Sequence, residues 1–396
     1  MIKNIKAREI LDSRGNFTVE VELETQKGFF RAACPCGASR GDGEAVEIKA
    51  SKAVDNVNDI IEPKLRSKSE TKQKEIDEIL LEIDGTENKS NLGANAILPV
   101  SVTVCRAGAA AQGLPLYQYI EKLYRDPVSV ALPIPCFNII NGGVHSGSDL
   151  EIQEFMVVPN KGFFSENLKT ASQIYQQLKK NLIKVFGKKA INVGDEGGFV
   201  PPISREKEAL DLLKNTIREY QDVDIGLDCA ASQFYKGGGY SLDNIFFTKN
   251  GLLEYYQDLL SRYPIIFLED PFAEKDLDSF QEITKKFSKE IIIFGDDLLT
   301  TNIKRMKEAK KAEACSGAVI KPNQIGTITE TLEAVKLARS FGWKIMVSHR
   351  SGETGDDFIA DLAVGISADF IKSGAPARGE RVAKYNRLLE IENELK

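Results

Sequence analysis

The stretch Ile265-Ile266-Phe267-Leu268-Glu269-Asp270-Pro271-Phe272 decides the fold. Its first four residues form a short apolar run closed by a carboxylate, the pattern of a strand buried on both faces. Similar runs recur at Asp224–Leu227, Ile291–Phe294, Gly317–Ile320, Lys344–Ser348 and Asp369–Ile371. From Leu132 onward such runs alternate with helix-length amphipathic segments. That alternation implies an α/β fold, either a β/α barrel or an open doubly wound sheet. No G-x-G-x-x-G follows a first strand and no P-loop occurs, which weighs against the nucleotide-binding sheet.

The residues closing the runs are Asp228, Glu269, Asp296, Lys321, His349 and Lys372. In a barrel the C-terminal ends of parallel strands ring one mouth, where active sites sit. The pattern therefore places three carboxylates, two lysines and a histidine around one opening. One strand-end aspartate could simply cap the next helix. Three acids at one mouth, followed by lysines, suit magnesium, a hard cation that keeps positions open for water or substrate. A lysine beside such ions has its ammonium form disfavoured, so its pKa should fall toward that of a useful base.

Upstream, the chain reads as a separate α+β region ending near residue 128. Phe17, Val19, Val21 and Leu23 alternate with polar residues, Asp12-Ser13-Arg14-Gly15 and Lys27-Gly28 are turns, and Phe29–Cys34 makes a third strand. Helices are expected over Glu44–Ile61, Thr71–Ile83 and Leu92–Gln112. The last is the most apolar stretch of the chain, but Pro99, Arg106 and its small polar residues read as a buried helix rather than a membrane span. The expected domains are 1–128 and 129–396.

Bulk properties narrow the function classes. The 396 residues carry a net charge of −6 and are 42% hydrophobic. No basic stripe is present, so nucleic acid is not an expected partner. The six cysteines have no framework spacing and no secretory leader pattern precedes them, so reduced thiols and a cytoplasmic location are expected.

Three loops early in the barrel region add chemistry. Gln153-Glu154-Phe155-Met156 ends an apolar run, Gly194-Asp195-Glu196-Gly197-Gly198 is a glycine-rich acidic loop, and Asn141-Gly142-Gly143-Val144-His145 holds one of only two histidines. Glu154 and Glu196, opposite a cationic wall, could be a general acid and its partner.

These motifs resemble the enolase family from about residue 6 to about 394. Leu11–Asn16, Gly37-Ala38-Ser39, Gln153–Met156, Gly194–Phe199, Leu268–Phe272, Gly295–Leu298, Asn323–Thr327, Val347–Thr354 and Gly374–Arg378 all match, in order. The resemblance implies an enolase-like β/α barrel behind a three-stranded meander and helices. It implies two magnesium ions per site, one held by Asp228, Glu269 and Asp296, the second completed by Ser39 on a lid. Lys321 would be the base that takes the carbon-2 proton, and Glu196, supported by Glu154, would protonate the leaving hydroxyl. Arg350 and Ser351 would hold phosphate, Lys372 the carboxylate region, and His145 and His349 would line the pocket. The implied reaction interconverts 2-phosphoglycerate with phosphoenolpyruvate and water.

Departures from the family cluster near the mouth. The lid reads Cys36-Gly37-Ala38-Ser39-Arg40-Gly41 rather than Ser-Gly-Ala-Ser-Thr-Gly, about a dozen residues after it are missing, and Pro322 follows the base. Arg40 adds a planar cation that could hold an extra anionic group. This keeps open a related synthase acting on a phosphonate or another phosphorylated acid, of which carboxyphosphonoenolpyruvate synthase is the named example. At the usual dimer contact Glu20 would face Glu390, so either a weakened homodimer or one with a shifted, altered interface is expected.

Overall fold

The computed structural model describes residues 1–37, 41–124 and 130–396. Ser39 and Arg40, and the expected domain boundary at 128/129, lie outside the described residues, as does the side chain of His145.

The N-terminal strands Asn4–Leu11, Phe17–Thr25 and Gly28–Ala33 form an antiparallel meander. The period-two pattern turns Val19, Val21 and Leu23 onto a core shared with Ala96, Ile97, Val100 and Val104 of the helix Ala94–Gln112. That helix is long and apolar enough to cross a membrane, yet it is packed in protein: 83% of its most apolar window is buried. The helix Gln73–Asp84 falls as expected.

The expected helix over Glu44–Ile61 begins only at Ala50. Residues 44–49 instead make extended crossing contacts. The amide of Ala45 donates to the Gln324 carbonyl at 2.8 Å, that of Val46 to Asn88 at 2.8 Å, and that of Ile48 to the Asn95 side chain at 3.1 Å. Helical spacing of apolar residues was overridden because the backbone of this segment bonds to other elements and its two glutamates are turned to the barrel.

Eight strands close the barrel, in the order Ile265–Glu269, Ile292–Gly295, Gly317–Ile320, Lys344–Ser348, Phe370–Lys372, Ile134–Asn141, Glu154–Pro159 and Val223–Asp228. All six expected runs form strands and are mutually parallel where adjacent. One strand departs from the all-parallel pattern. Glu154–Pro159 runs antiparallel to both neighbours, so Glu154 opens a strand rather than ending one. Its N-terminal end lies where the other strands finish, in register with Asp228.

Below the mouth the barrel is solid. Cys136, Met156, Phe267, Phe294, Val319, Met346 and Phe370 form a plug, with the rings of Phe267, Phe294 and Phe370 edge-on at 5.5 to 6.1 Å. The strand Val223–Asp228 contributes Gly226, where a Cβ would lie 2.1 Å from the Phe267 ring. Successive side chains alternate across a strand. Two residues on from each plug position, the same face therefore carries Asn138, Asp228, Glu269, Asp296, Lys321, Ser348 and Lys372. Glu154 stands two before Met156 on the reversed strand. One polar residue per strand thus rings the mouth above an apolar floor.

The N-terminal region is tied to the barrel by ion pairs. Arg106 on the helix Ala94–Gln112 bonds Asp356 at 2.7 and 2.9 Å and Asp357 at 2.9 Å, and Asp356 also accepts the Ala33 amide at 3.1 Å. Burial raises the Asp356 carboxyl, but Arg106 outweighs it and the net shift is downward. Removing one partner of a buried pair leaves the other uncompensated. Asp357 still faces Arg106 at 2.9 Å in the variant, so Asp356→Ala is expected to cost less than a fully orphaned charge, roughly 1.5–3 kcal/mol for the charge-assisted bonds lost, read as a shift in the urea midpoint at constant slope. Because the folded-state pKa is depressed, this contribution is present above the unfolded value of about 3.9 and is lost as pH falls through the lower folded value. The wild-type/mutant gap should therefore shrink only in acid; a gap that is constant down through that range would contradict the ion-pair account.

Candidate active site

The pocket at the mouth is lined by Glu154, Glu196, Asp228, Asp296, Lys321, His349, Arg350, Ser351 and Lys372 among others, so the described candidate residues come together. Glu269 lies beneath them, fully buried, and bonds Lys372.

Lys372 is the hub. Its Nζ lies 3.3 Å from Glu154, 3.0 Å from Asp228 and 2.8 Å from Glu269. Burial pulls this ammonium down, but the surrounding carboxylates outweigh it and hold its pKa well above the usual lysine value. The Glu269 carboxyl is pushed well up, first by burial and then by Asp228. Lys321 is ion-paired with Asp296, which also accepts from Gln324 at 3.1 Å. Burial opposes both charges, yet the pairing wins: Asp296 sits at about 2 and Lys321 is raised. The expected fall in the lysine pKa is a property of the ion-loaded site; among the protein's own groups, burial and the charges of Arg350 and Lys372 lower it, and Asp296 foremost, with Glu269, outweighs them.

Glu154 and Glu196 approach one another, with His349 Nε2 3.9 Å from each. Burial, then the charge of Glu196, holds the Glu154 carboxyl well above the ordinary range. Asn138 donates to Glu196 at 2.8 Å. His349 is kept neutral chiefly by burial. Arg381 lies 2.6 Å from its Nδ1. A guanidinium only donates, so Nδ1 accepts and the ring proton sits on Nε2, toward the two glutamates.

Arg350 is gripped by Glu44, Nη1 to Oε2 at 2.8 Å and Nη2 to Oε1 at 3.1 Å. Pro322 does not displace Lys321. It occupies the first turn of the short helix Pro322–Ile325, where a missing N–H costs nothing, and the next residues Asn323 and Gln324 reach Arg350 and Asp296. Cys36 pairs its backbone with Gly352, and its Sγ lies 3.1 Å from Glu47.

Several of these residues stand out less in the sequence. Asn138 and Ser348 were visible through the two-residue step from Cys136 and Met346. Asp270 was quoted within a motif but given no role; it accepts the amides of Asp296 at 3.0 Å and Asp297 at 2.7 Å and fixes that loop. Arg381 and Glu44 carried no local signal.

The donor set fits a hard divalent cation. Asp228, Glu269 and Asp296 stand at the ends of three adjacent strands, and all three draw ammonium groups, Lys372 to Asp228 and Glu269 and Lys321 to Asp296. A closed barrel with such a mouth defines an enzyme-type site, with the Lys321 amine on one side and the Glu154–Glu196 carboxyl pair on the other, Glu154 pushed well up by burial. Residues 2–120 match the family described as "Enolase, N-terminal domain" and residues 129–396 match "Enolase, C-terminal TIM barrel domain". A curated protein named enolase from Mastigamoeba balamuthi is 49% identical over 421 aligned positions, spanning 100% of this chain and 96% of the relative. The chain belongs to the enolase family.

Proposed function

We propose that this chain is a magnesium-dependent hydro-lyase that dehydrates 2-phosphoglycerate to phosphoenolpyruvate in the cytoplasm, with residues 129–396 as the catalytic barrel and 1–128 as its cap. The observation that carries the reading is the strand order. Lys321 and Glu154 stand four strands apart in an eight-stranded ring, on opposite sides of one mouth. A base on one side and an acid pair on the other can take a proton from carbon 2 and protonate a hydroxyl on carbon 3 from opposite faces.

Asp228, Glu269 and Asp296 would hold the first magnesium, and Ser39 would complete a second. When bound, these ions stabilise the negative charge that develops on the substrate carboxylate. Lys321 accepts the carbon-2 proton. Glu196 delivers a proton to the departing hydroxyl, and Glu154 shares the proton that burial keeps on this pair. His349, fixed by Arg381, donates from Nε2 toward the pair and excludes water there. Arg350 and Ser351 take the phosphate, which draws the Arg350 guanidinium from its pairing with Glu44. Lys372 supplies positive charge beside the substrate carboxylate, and His145 lines the loop side.

The test is absorbance of the enol product from purified protein, 2-phosphoglycerate and magnesium. Arg350→Gln in that assay should raise KM by roughly 10- to 150-fold, the equivalent of a charge-assisted contact of about 1.5–3 kcal/mol. No turnover by wild type removes the assignment; unchanged KM in the variant removes Arg350 from the phosphate.

We place a homodimer in the same reading, with an altered interface. Glu20 is ion-paired with Arg8, and Glu390 lies 3.1 Å from Arg387, so each carboxylate has a cation in its own chain. Sedimentation at micromolar protein checks this; a monomer throughout refutes it.

A further inference from the structure

A second group of carboxylates lies behind the loop that delivers Gln153 and Glu154 to the mouth. Glu151, Glu206 and Asp243 each offer an oxygen within 4.8 Å of the others. They come from three separate segments: the loop before the strand Glu154–Pro159, the first position of the helix Glu206–Ile217, and the turn after the strand Gly239–Leu242. Backbone amides join them in a circle. Glu206 Oε1 accepts from the amides of Glu151 at 2.8 Å and Ile152 at 3.3 Å. The Glu206 amide donates to Asp243 Oδ1 at 2.8 Å, and the Asp243 amide to Glu151 Oε2 at 3.2 Å. Tyr255 donates its hydroxyl to Asp243 Oδ2 at 3.0 Å.

The circle leaves one atom over. Glu206 is 0% exposed, and its Oε2 is buried with no hydrogen-bond partner. Among the described residues, no lysine or arginine forms an ion pair with any of the three acids. Buried charges are paired or coordinate metals. Glu151 and Asp243 are only half-buried, so one side of the group is open to water.

We propose that Glu151, Glu206 and Asp243 form a binding site for a hard divalent cation, calcium or magnesium, separate from the catalytic mouth. Three carboxylates and a solvent-facing side match the all-oxygen shells of these ions. Glu206 Oε2 gains the partner it lacks. The ion joins the helix Glu206–Ile217 and the Asp243 turn to Glu151, three residues before Glu154, and so braces the loop that positions the acid pair. The rival is that Glu206 stays protonated, since burial pushes its carboxyl well above the ordinary range.

The proposal does not depend on the substrate, so its test avoids turnover as the main readout. Equilibrium dialysis against calcium, and in a second arm magnesium, counts ions per chain in wild type and in Glu206→Gln. The catalytic carboxylates remain in both proteins. Glu206→Gln is expected to lose one ion per chain, or to hold it at least about tenfold more weakly, since affinity at such sites follows ligand charge. Wild type should also gain more in melting temperature from the added ion than the variant does. Terbium gives a local check: emission excited through tyrosine should fall in both Tyr255→Phe and Glu206→Gln. If Glu206→Gln fails to fold, Glu151→Gln, at a half-buried position, is expected to show the same loss. Equal ion counts and equal thermal gains in wild type and variant overturn the site. So does a Glu206→Gln protein that is more stable than wild type with no difference in ion response, which would assign a protonated acid instead.

Discussion

Lys321→Ala is expected to lower kcat by at least about 10²–10⁴-fold, the usual worth of a positioned base. The proton on carbon 2, followed by NMR in heavy water, should stop exchanging with solvent. KM should change far less, because the phosphate contacts proposed for Arg350 and Ser351 are untouched. The ion pair with Asp296 complicates the assignment, since alanine removes both a base and a charge. Lys321→Arg separates them. Arginine keeps the positive charge beside Asp296 but cannot give up its proton. If Lys321 acts as base, the arginine variant should be as inactive in exchange as the alanine variant. If the residue serves only to neutralise Asp296, arginine should restore most of the rate. Exchange at the wild-type rate in either variant would assign the base elsewhere. The raised pKa of Lys321 sharpens the requirement: the charge of Asp296 must be taken up by another cation before the amine can be neutral.

Most of the barrel was legible because one local rule, alternation across a strand, governs both its floor and its mouth. Phe267 points inward, so Glu269 does; Phe294 does, so Asp296 does; Phe370 does, so Lys372 does. An apolar run closed by a charge therefore carried the position of the charge as well as the strand. His349 breaks the step, since it follows Ser348 rather than standing two from Met346. Its place in the site depends on Arg381, a buried arginine on the last helix that reaches Nδ1 and the carbonyls of Arg350 and Ser351. Nothing near His349 in sequence announces that contact. Glu44 shows the same limit from the other direction. Its helical surroundings in sequence gave a helix, while the structure commits its carboxylate to Arg350, 306 residues away. The reversed strand Glu154–Pro159 was hidden for a related reason: strand direction is set by the connection, and side-chain alternation is the same either way.

The other large effect should fall on Lys372, through stability before chemistry. Its ammonium lies within 3.3 Å of Glu154, Asp228 and Glu269, and its side chain is only 2% exposed. Lys372→Met keeps much of the volume and removes the charge, leaving three buried carboxylates to repel one another. Breaking a buried pair this way typically costs about 3–5 kcal/mol. The loss should be greatest in chelator and should shrink with added magnesium, because an ion that binds only the folded state stabilises it by mass action. Lys372→Met is therefore expected to show a far steeper rise of melting temperature with magnesium than wild type. The same variant should have little turnover, since the positive charge proposed to sit beside the substrate carboxylate is gone. The comparison separates two roles for one residue. A variant that is inactive but as stable as wild type in chelator would confine Lys372 to the substrate. A variant equally destabilised with and without magnesium would mean that the ion does not bind where the ammonium now holds these carboxylates together, and the proposed ligand set of Asp228, Glu269 and Asp296 would fall with it.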